Sequence, residues 1–380
     1  MRLSLALIFI SVLLLPDLYI LLAFFRRRRW WWALLHEVPL LLALASAGAW
    51  MGGVSAQWPG QLLFFVIVCF SLPKLVFSVL SLLVSGVALW APQCRKPGLY
   101  FSLFVGGCML LASVYGCSLG RHQLTVHQQE LHFSDLPAAF DGYKIVQISD
   151  LHLGTYGHQT RFIERVVREV NAQNPDLIVV TGDLVNIKAE ELVAFQSCLS
   201  QLHARDGVMT ILGNHDYGTY GRFREADGQA KNLEKLKRGE RALGWDLLLD
   251  EHRFIHRGTD SIALLGVQNI GAPPFPKMGS LEQALDGVDS HVFKILLSHD
   301  PSHWRMEVLP NSNIQLMLAG HTHAMQLKLG HWSPAIWKYP EWGGLYQEGD
   351  RQLFISTGIG GTIPFRLGAA PEICVLTLRK

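Results

Sequence analysis

Three things are scarce in this chain. Cysteine is the first: there are six in 380 residues and no Cys-x-x-Cys pair. Cys69, Cys108 and Cys117 lie in apolar runs, Cys94 in a short loop, and Cys198 and Cys374 in the globular part. That excludes a disulfide scaffold and makes cysteine-held zinc or dithiol redox chemistry a poor fit. Net charge is the second. The formal balance is +2, which gives no basic stripe of the kind nucleic-acid binding requires, so no nucleic-acid partner is expected. The third is charge of either sign before about Cys117, where Leu, Val, Phe, Trp and Ala dominate. After Gly120 the sequence becomes an ordinary mixture with turns and charges. The composition divides the chain into an apolar region, 1–118, and a globular one, 119–380.

A helix that crosses a bilayer needs about 20 mostly apolar residues. Four runs meet that requirement: Leu3–Phe25, Trp30–Trp50, Leu62–Trp90 and Leu99–Cys117. They predict a four-helix transmembrane domain in contact with membrane lipids. The first run reads as a retained anchor rather than a cleaved signal: it is long, and it ends in Arg26–Arg29 without a small-residue cleavage site. Lys and Arg accumulate in cytoplasmic loops. Loop one carries Arg26–Arg29, loop three carries Arg95 and Lys96, and the second loop, "MGGVSAQWPG", carries neither residue type. The expected protein is multi-pass in the inner (plasma) membrane, with both termini and the globular region extracytoplasmic. Asp17, Glu37 and Lys74 interrupt the apolar runs. Charges in lipid face one another, so Lys74 is expected to pair with Asp17 or Glu37.

Beyond Gly120, apolar strands alternate with helical segments. "YKIVQISD" (143–150), "DLIVVTGD" (176–183), "GVMTILGNHD" (207–216), "SIALLGVQN" (261–269), "FKILLSHDP" (293–301), "IQLMLAGHTH" (314–323), "QLFISTGIGG" (352–361) and "EICVLTLRK" (372–380) read as strands. "TRFIERVVREVNAQNP" (160–175) has the spacing of an amphipathic helix, and 189–203 reads as another. "HQLTVHQQELHFSDLP" reads as an opening edge strand. The pattern predicts a layered α/β fold, partly parallel, with antiparallel final strands. Polar residues recur where the apolar strands end, as ligand sites do in open α/β sheets. They are Asp150 and His152, Asp183, Asn214 and His215, His299, and His321 and His323.

Carboxylates crowded at one rim would raise one another's pKa, and bound dications remove that conflict. Nitrogen and oxygen ligands without thiolate favour manganese, iron, zinc or a related ion. With a bridging carboxylate such as Asp183, two ions can sit roughly 3.5–4 Å apart and hold a shared hydroxide. Taken singly, the motifs have bland readings as well: a cap, a tight turn, a surface histidine. The ordered series at successive strand ends is the specific feature.

That series, "SDLH" (149–152), "TGD" (181–183), "GNHD" (213–216), "SHD" (298–300) and "GHTH" (320–323), resembles the calcineurin-like metallophosphoesterase superfamily over about residues 121–380. "ISDLHLG" and "STGIGG" match most closely a bacterial, membrane-anchored branch. The resemblance implies a metallophosphoesterase-type β-sandwich flanked by helices and a binuclear centre. Asp150, His152 and His323 would hold the first ion, Asn214, His299 and His321 the second, and Asp183 both. His215 would assist the leaving oxygen and Asp216 would orient His215. The implied reaction is attack of a metal-bridging hydroxide on a phosphodiester or diphosphate.

Between "GHTH" and "STGIGG" lies an aromatic-rich segment, 329–350, with Trp332, Trp337, Tyr339, Trp342 and Tyr346. It reads either as a packed cap or as an apolar wall for a lipid-linked substrate. Arg366 reads as a phosphate contact or a surface salt bridge. A sensor or scaffold that binds a phosphorylated ligand without turnover stays open as an alternative, and a channel is weaker still.

Overall fold

In the computed structural model, residues 2–26, 30–51, 58–275 and 277–380 are described. Arg27–Arg29 of the arginine run, and 52–57 of the second loop, fall outside them. The chain divides into two compact units, Met1–Leu119 and Gly120–Lys380.

The first unit is helical. Helix α1 (Arg2–Ile20) continues through a π-helical turn at Leu21–Phe25, and α2 spans Trp30–Met51. Helix α3 (Trp58–Val66) runs through a second wide turn, Ile67–Ser71, into α4 (Leu72–Val87), and α5 spans Arg95–Ser118. Pro73 accounts for that second turn. Its ring has no N–H to donate and crowds the carbonyl four residues back, so the helix widens just ahead of it. Among the described residues, three stretches are long and apolar enough to cross a bilayer: Trp30–Ala49, Trp58–Val87 and Pro92–His122. Ser11–Phe25 is a shorter apolar helix. The buried residues of α5 are all small, namely Ser102, Gly106, Ser113 and Gly116. Small side chains let helix backbones approach where no hydrophobic effect drives them together.

The interior charges of this unit form one cluster. Lys74 is ion-paired with buried Asp17. It also donates to the His36 carbonyl at 3.0 Å. The His36 ring stands 3.2 Å from Asp17 and 3.8 Å from Glu37. The expected Lys74 pairing is present, with Asp17 as the partner, while Glu37 meets His36 instead.

The second unit is two six-stranded sheets packed face to face. The first contains β1 (Thr125–His132), β2 (Lys144–Ile148), β3 (Leu177–Thr181), β4 (Val208–Ile211), β5 (Asp246–Leu247) and β12 (Glu372–Arg379), in the order β1-β12-β2-β3-β4-β5. The second contains β6 (Glu251–Arg257), β7 (Asp260–Gly266), β8 (Phe293–Leu297), β9 (Leu316–Ala319), β10 (Gly344–Glu348) and β11 (Arg351–Ile355), in the order β10-β11-β9-β8-β7-β6. β2, β3, β4 and β5 run parallel, as do β7, β8, β9 and β11. β12 is antiparallel to β2, and β10 to β11.

Side chains alternate across each strand, and in the central strands both faces are apolar. Ile145, Leu177, Val179 and Ile211 meet Ile262, Leu264, Ile295, Leu297, Leu316 and Leu318 between the sheets. Val146, Ile148, Ile178 and Val180 face outward onto Ile163, Val166, Val167 and Val170 of α6 (Arg161–Ala172). Leu265, Leu296 and Met317 face outward onto Trp304 and Val308. This is the layered sandwich flanked by helices that the family resemblance implies, and it fixes where each strand ends; of the final strands, β11 runs parallel to β9 rather than antiparallel. β5, β6 and β10 lack a sequence expectation.

Lys74→Met would leave the buried Asp17 carboxylate without its permanent cation, with only the His36 ring beside it, a change of about 3–5 kcal/mol in comparable pairs. The expected result is a lower thermal midpoint of the detergent-purified protein, partly restored by adding Asp17→Asn. An unchanged midpoint in the single variant would deny the pair a structural role.

Candidate metal centre

Five parallel strands deliver the polar residues, three from one sheet and two from the other. β2 ends at Ile148, just before Ser149, Asp150 and His152, and β3 ends just before Gly182 and Asp183. β4 ends just before Gly213, Asn214, His215 and Asp216. β8 ends just before His299, and β9 just before Gly320, His321 and His323. The structure gathers these into two groups of ligand atoms. One is Asp150, His152, Asp183 and His323, and the other is Asp183, His299 and His321, each with its ligand atoms within 4.8 Å of one another. Asp183 belongs to both.

The distances describe lone pairs aimed at shared space. Asp183 Oδ2 lies 3.1 Å from His299 Nε2 and 3.6 Å from His152 Nε2. His323 Nε2 is 3.3 Å from His152 Nε2 and 3.4 Å from Asp150 Oδ1. His321 Nδ1 is 3.2 Å from His299 Nε2. Asn214 is buried, and its Oδ1 has no hydrogen-bond partner. The next residue's backbone N–H donates to Asp183 Oδ1 at 2.8 Å, which sets Asn214 beside the bridging carboxylate.

Outer partners fix which ring nitrogen faces inward. Oxygens without protons can only accept, so their neighbours must donate. His152 Nδ1–H donates to Asn186 Oδ1 at 3.0 Å, and His299 Nδ1–H donates to the Thr181 carbonyl at 2.7 Å. Both turn Nε2 toward the cluster, the nitrogen a metal would take. His215 Nδ1–H donates to the Asn186 carbonyl at 2.8 Å, and its ring stands edge-on to His152, centroids 4.8 Å apart.

Asp216 does not hold that ring, contrary to what the family resemblance implies. Its carboxylate accepts the backbone N–H groups of Asp183 (2.9 Å), Val185 (3.2 Å) and Gly213 (2.8 Å). An acceptor-only group buried among orphan amides is drawn to them, so Asp216 clamps two strand-end loops together. Asn186, three residues past "TGD", holds both His152 and His215 and was missed. So were Tyr220, whose hydroxyl meets Asn214, and Tyr339, whose hydroxyl meets His321.

The backbone here is unusual. Asp150 (φ 53°), His152 (47°), Asp183 (53°), His321 (73°) and His323 (50°) all occupy the left-handed region. Such residues persist only where their surroundings over-determine them, and they cluster at functional sites. Gly213 has an ordinary φ, so it is not there to permit a turn. Any Cβ at that position would lie 2.2 Å from Asp183 Oδ1.

Electrostatics agree with a site built for cations. Burial, with Asp183 nearby, pushes Asp150 up to about 6. Burial also acts to raise Asp183, but the positive charge it attracts onto His299 outweighs this and holds it well below the usual range. Burial acts to lower His299, yet Asp183 and Asp150 lift it to about 10. His152 is pushed down to about 3 by burial, and His321 and His323 fall well below the ordinary value for the same reason. The carboxylates therefore pull positive charge into a place where three of four imidazoles stay neutral. Divalent cations meet that demand, and the nitrogen and oxygen donor set fits them.

The comparisons with known proteins agree. The calcineurin-like phosphoesterase family model matches residues 143–325. An uncharacterized metallophosphoesterase of Bacillus subtilis, YkuE, is 31% identical over 293 residues, covering 74% of this chain and 95% of that protein. The chain belongs to the calcineurin-like metallophosphoesterases. As such it is a metal-dependent phosphoester hydrolase. A Danio rerio transmembrane protein with a metallophosphoesterase domain is 29% identical over 276 residues, 70% of this chain and 60% of that one. The phosphoesterase is also 27% identical to the UDP-2,3-diacylglucosamine pyrophosphatase LpxG of Chlamydia trachomatis, over 64% of this chain and 86% of that one. Two solved structures align over 59% of the chain, likenesses too remote to carry weight. They are phosphopantetheinyl hydrolase from Mycobacterium tuberculosis (13% identity, TM-score 0.36, 91% of that chain) and a dimetal phosphatase from Danio rerio (14%, 0.35, 90%).

The aromatic segment divides between its two readings. Tyr339 and Trp342 are buried with Ala324, Ala335 and Ala369, a packed cap. Trp332 and Trp337 are exposed and meet edge to face, centroids 5.7 Å apart. Arg366 fits neither of its expected roles. It is buried and donates to the carbonyls of Thr357, Gly360 and Ala369, tying down the glycine-rich loop.

Gly213→Ala forces its methyl into Asp183. The variant is expected to purify folded but with bound metal reduced at least severalfold, read by elemental analysis. Full metal content would mean the loop yields and Asp183 is not the fixed point.

Proposed function

We propose that this phosphoesterase is membrane-anchored, holds two divalent cations, and hydrolyses a phosphodiester or diphosphate carried on a lipid. The observation that carries the reading is the sharing of Asp183 by two groups of ligand atoms. Asp150, His152 and His323 would hold one ion, Asn214, His299 and His321 the other, and Asp183 both. The unpartnered Oδ1 of Asn214 and the inward-facing imidazole nitrogens fit such ions. When bound, ions of this class supply Lewis acidity toward phosphoryl oxygens and make water nucleophilic near neutral pH.

The chain's own contribution is positioning and proton transfer. His215 is half-buried, with Nδ1–H fixed on Asn186. Its Nε2 is then the atom that carries a proton to the leaving oxygen as the P–O bond breaks. Asp216 acts behind it by clamping the 182–185 and 213–216 loops, so that the His215 amide stays on Asp183.

The apolar helices and an exposed apolar surface support a lipid-linked substrate. Met325, Leu329, Trp332, Ile336 and Trp337 are all exposed on the segment that follows the His321–His323 motif. Trp and its apolar neighbours suit a bilayer interface. The residues 1–118 would form the multi-pass membrane domain and 119–380 the catalytic one. The Arg26–Arg29 and Arg95–Lys96 loops favour an extracytoplasmic site in the plasma membrane. A second reading is favoured by the likeness to LpxG. In it the substrate is a nucleotide-linked acyl sugar diphosphate and the site is cytoplasmic. Protease accessibility of the globular region in intact cells separates the two.

Two substitutions test the mechanism with bis(p-nitrophenyl) phosphate as substrate. Asp183→Asn should abolish hydrolysis and lower metal content. His215→Ala should cut turnover by roughly 10²–10⁴, the usual worth of general acid–base catalysis, with metal content unchanged. Normal turnover in His215→Ala would refute its role. No hydrolysis of any phosphoester by the metal-loaded wild type would favour a ligand-binding sensor.

A further inference from the structure

Two tyrosine hydroxyls, from parts of the chain outside the motif series, sit behind two of the three side chains assigned to the second ion alone. Asn214 Nδ2–H donates to the Tyr220 hydroxyl at 2.9 Å. The Tyr220 ring also lies against His215, centroids 4.4 Å apart. The Tyr339 hydroxyl is 2.8 Å from His321 Nε2, and the Tyr339 ring stands edge-on to His321. The other ligands use different partners. His299 uses the Thr181 carbonyl and His152 uses Asn186 Oδ1.

Each hydroxyl resolves a choice that its ligand leaves open. An amide presents either oxygen or nitrogen, and only the oxygen can donate to a metal. With Nδ2 engaged by Tyr220, Oδ1 is the atom left buried and without a partner. An imidazole carries its proton on either nitrogen, and only the bare one can coordinate. Beside His321 Nε2 stand the Tyr339 hydroxyl and, at 3.5 Å, an Asp300 oxygen. A carboxylate can only accept, and a phenol hydroxyl accepts as well as donates. Both neighbours place the proton on Nε2 and leave Nδ1 bare, facing His299.

We propose that Tyr220 and Tyr339 are positioning residues that set the occupancy of the second metal position independently of the first. This rests on the two-ion reading above. Removing partners behind metal ligands typically costs 10–100-fold in metal affinity. The cost should fall on one ion only, because among the described residues the two phenols hydrogen-bond to Asn214 and His321 and not to the first ion's own ligands, Asp150, His152 and His323.

The test uses the full-length protein in detergent, stripped by chelator and titrated with Mn(II). Bound metal is counted by elemental analysis, and electron paramagnetic resonance distinguishes coupled from isolated Mn(II). Wild type should bind two ions with a coupled signal. Tyr220→Phe and Tyr339→Phe each keep the ring. Each should retain the first ion at wild-type affinity, weaken the second 10–100-fold, and give the isolated signal at intermediate Mn(II), with the thermal midpoint of the metal-free protein unchanged. Two ions bound at wild-type affinity in both variants, or equal weakening of both ions, would overturn the proposal. Wild type binding fewer than two ions would overturn the two-ion reading, and this proposal with it.

Discussion

Everything in the catalytic unit answers to one constraint: negative charge and bare nitrogen lone pairs are buried around Asp183 with too few protons to quiet them. Two carboxylates and four imidazoles converge there, largely out of water. Burial of uncompensated charge is costly, and the group that must yield is the one with the most to gain from a cation. Here that group is His299, drawn toward protonation by its carboxylates. The cluster reads as a receptacle whose energetics are incomplete without positive charge.

The fold bears the cost of holding that receptacle open. Five residues of the site have left-handed backbones, at about 1–3 kcal/mol each. Against a typical net stability of about 5–15 kcal/mol, strain of that order has to be offset elsewhere. The two-sheet core does this. Its central strands are apolar on both faces, so the register is fixed from inside the sandwich and from the helices outside. Strand ends then have little freedom, and Asp216 removes more by accepting three amides from two adjacent loops. In the helical unit the same logic operates in miniature. Lys74 offsets Asp17 where water is scarce.

Much of this was legible in the sequence, for a physical reason. Ligands at strand ends come in short local signatures, and the apolar runs ahead of them fix which end they occupy. So the groups around Asp183, the layered α/β fold and the pairing of Lys74 with Asp17 or Glu37 could all be read. What stayed hidden was whatever depends on a distant backbone atom or on a residue with no chemical signature. His152 and His215 are held by Asn186, an unremarkable loop asparagine. Tyr220 belongs to no motif, and Tyr339 is one aromatic among several in 329–350. Asp216 departs from the role the resemblance implies, orienting His215, because its lone pairs are taken by amides. Arg366 was misread because loop carbonyls leave no trace in a sequence. The strand β6, "EHRFIHR", lies at a sheet edge, where polar residues hide the strand pattern.

The central claim is that Asp183 lies between two cations. Anomalous diffraction from crystals of the manganese-loaded protein tests it most directly. The account predicts two peaks, one on each side of the Asp183 carboxylate, one ringed by Asp150, His152 and His323 and the other by Asn214, His299 and His321. A single peak, or peaks away from Asp183, would contradict it.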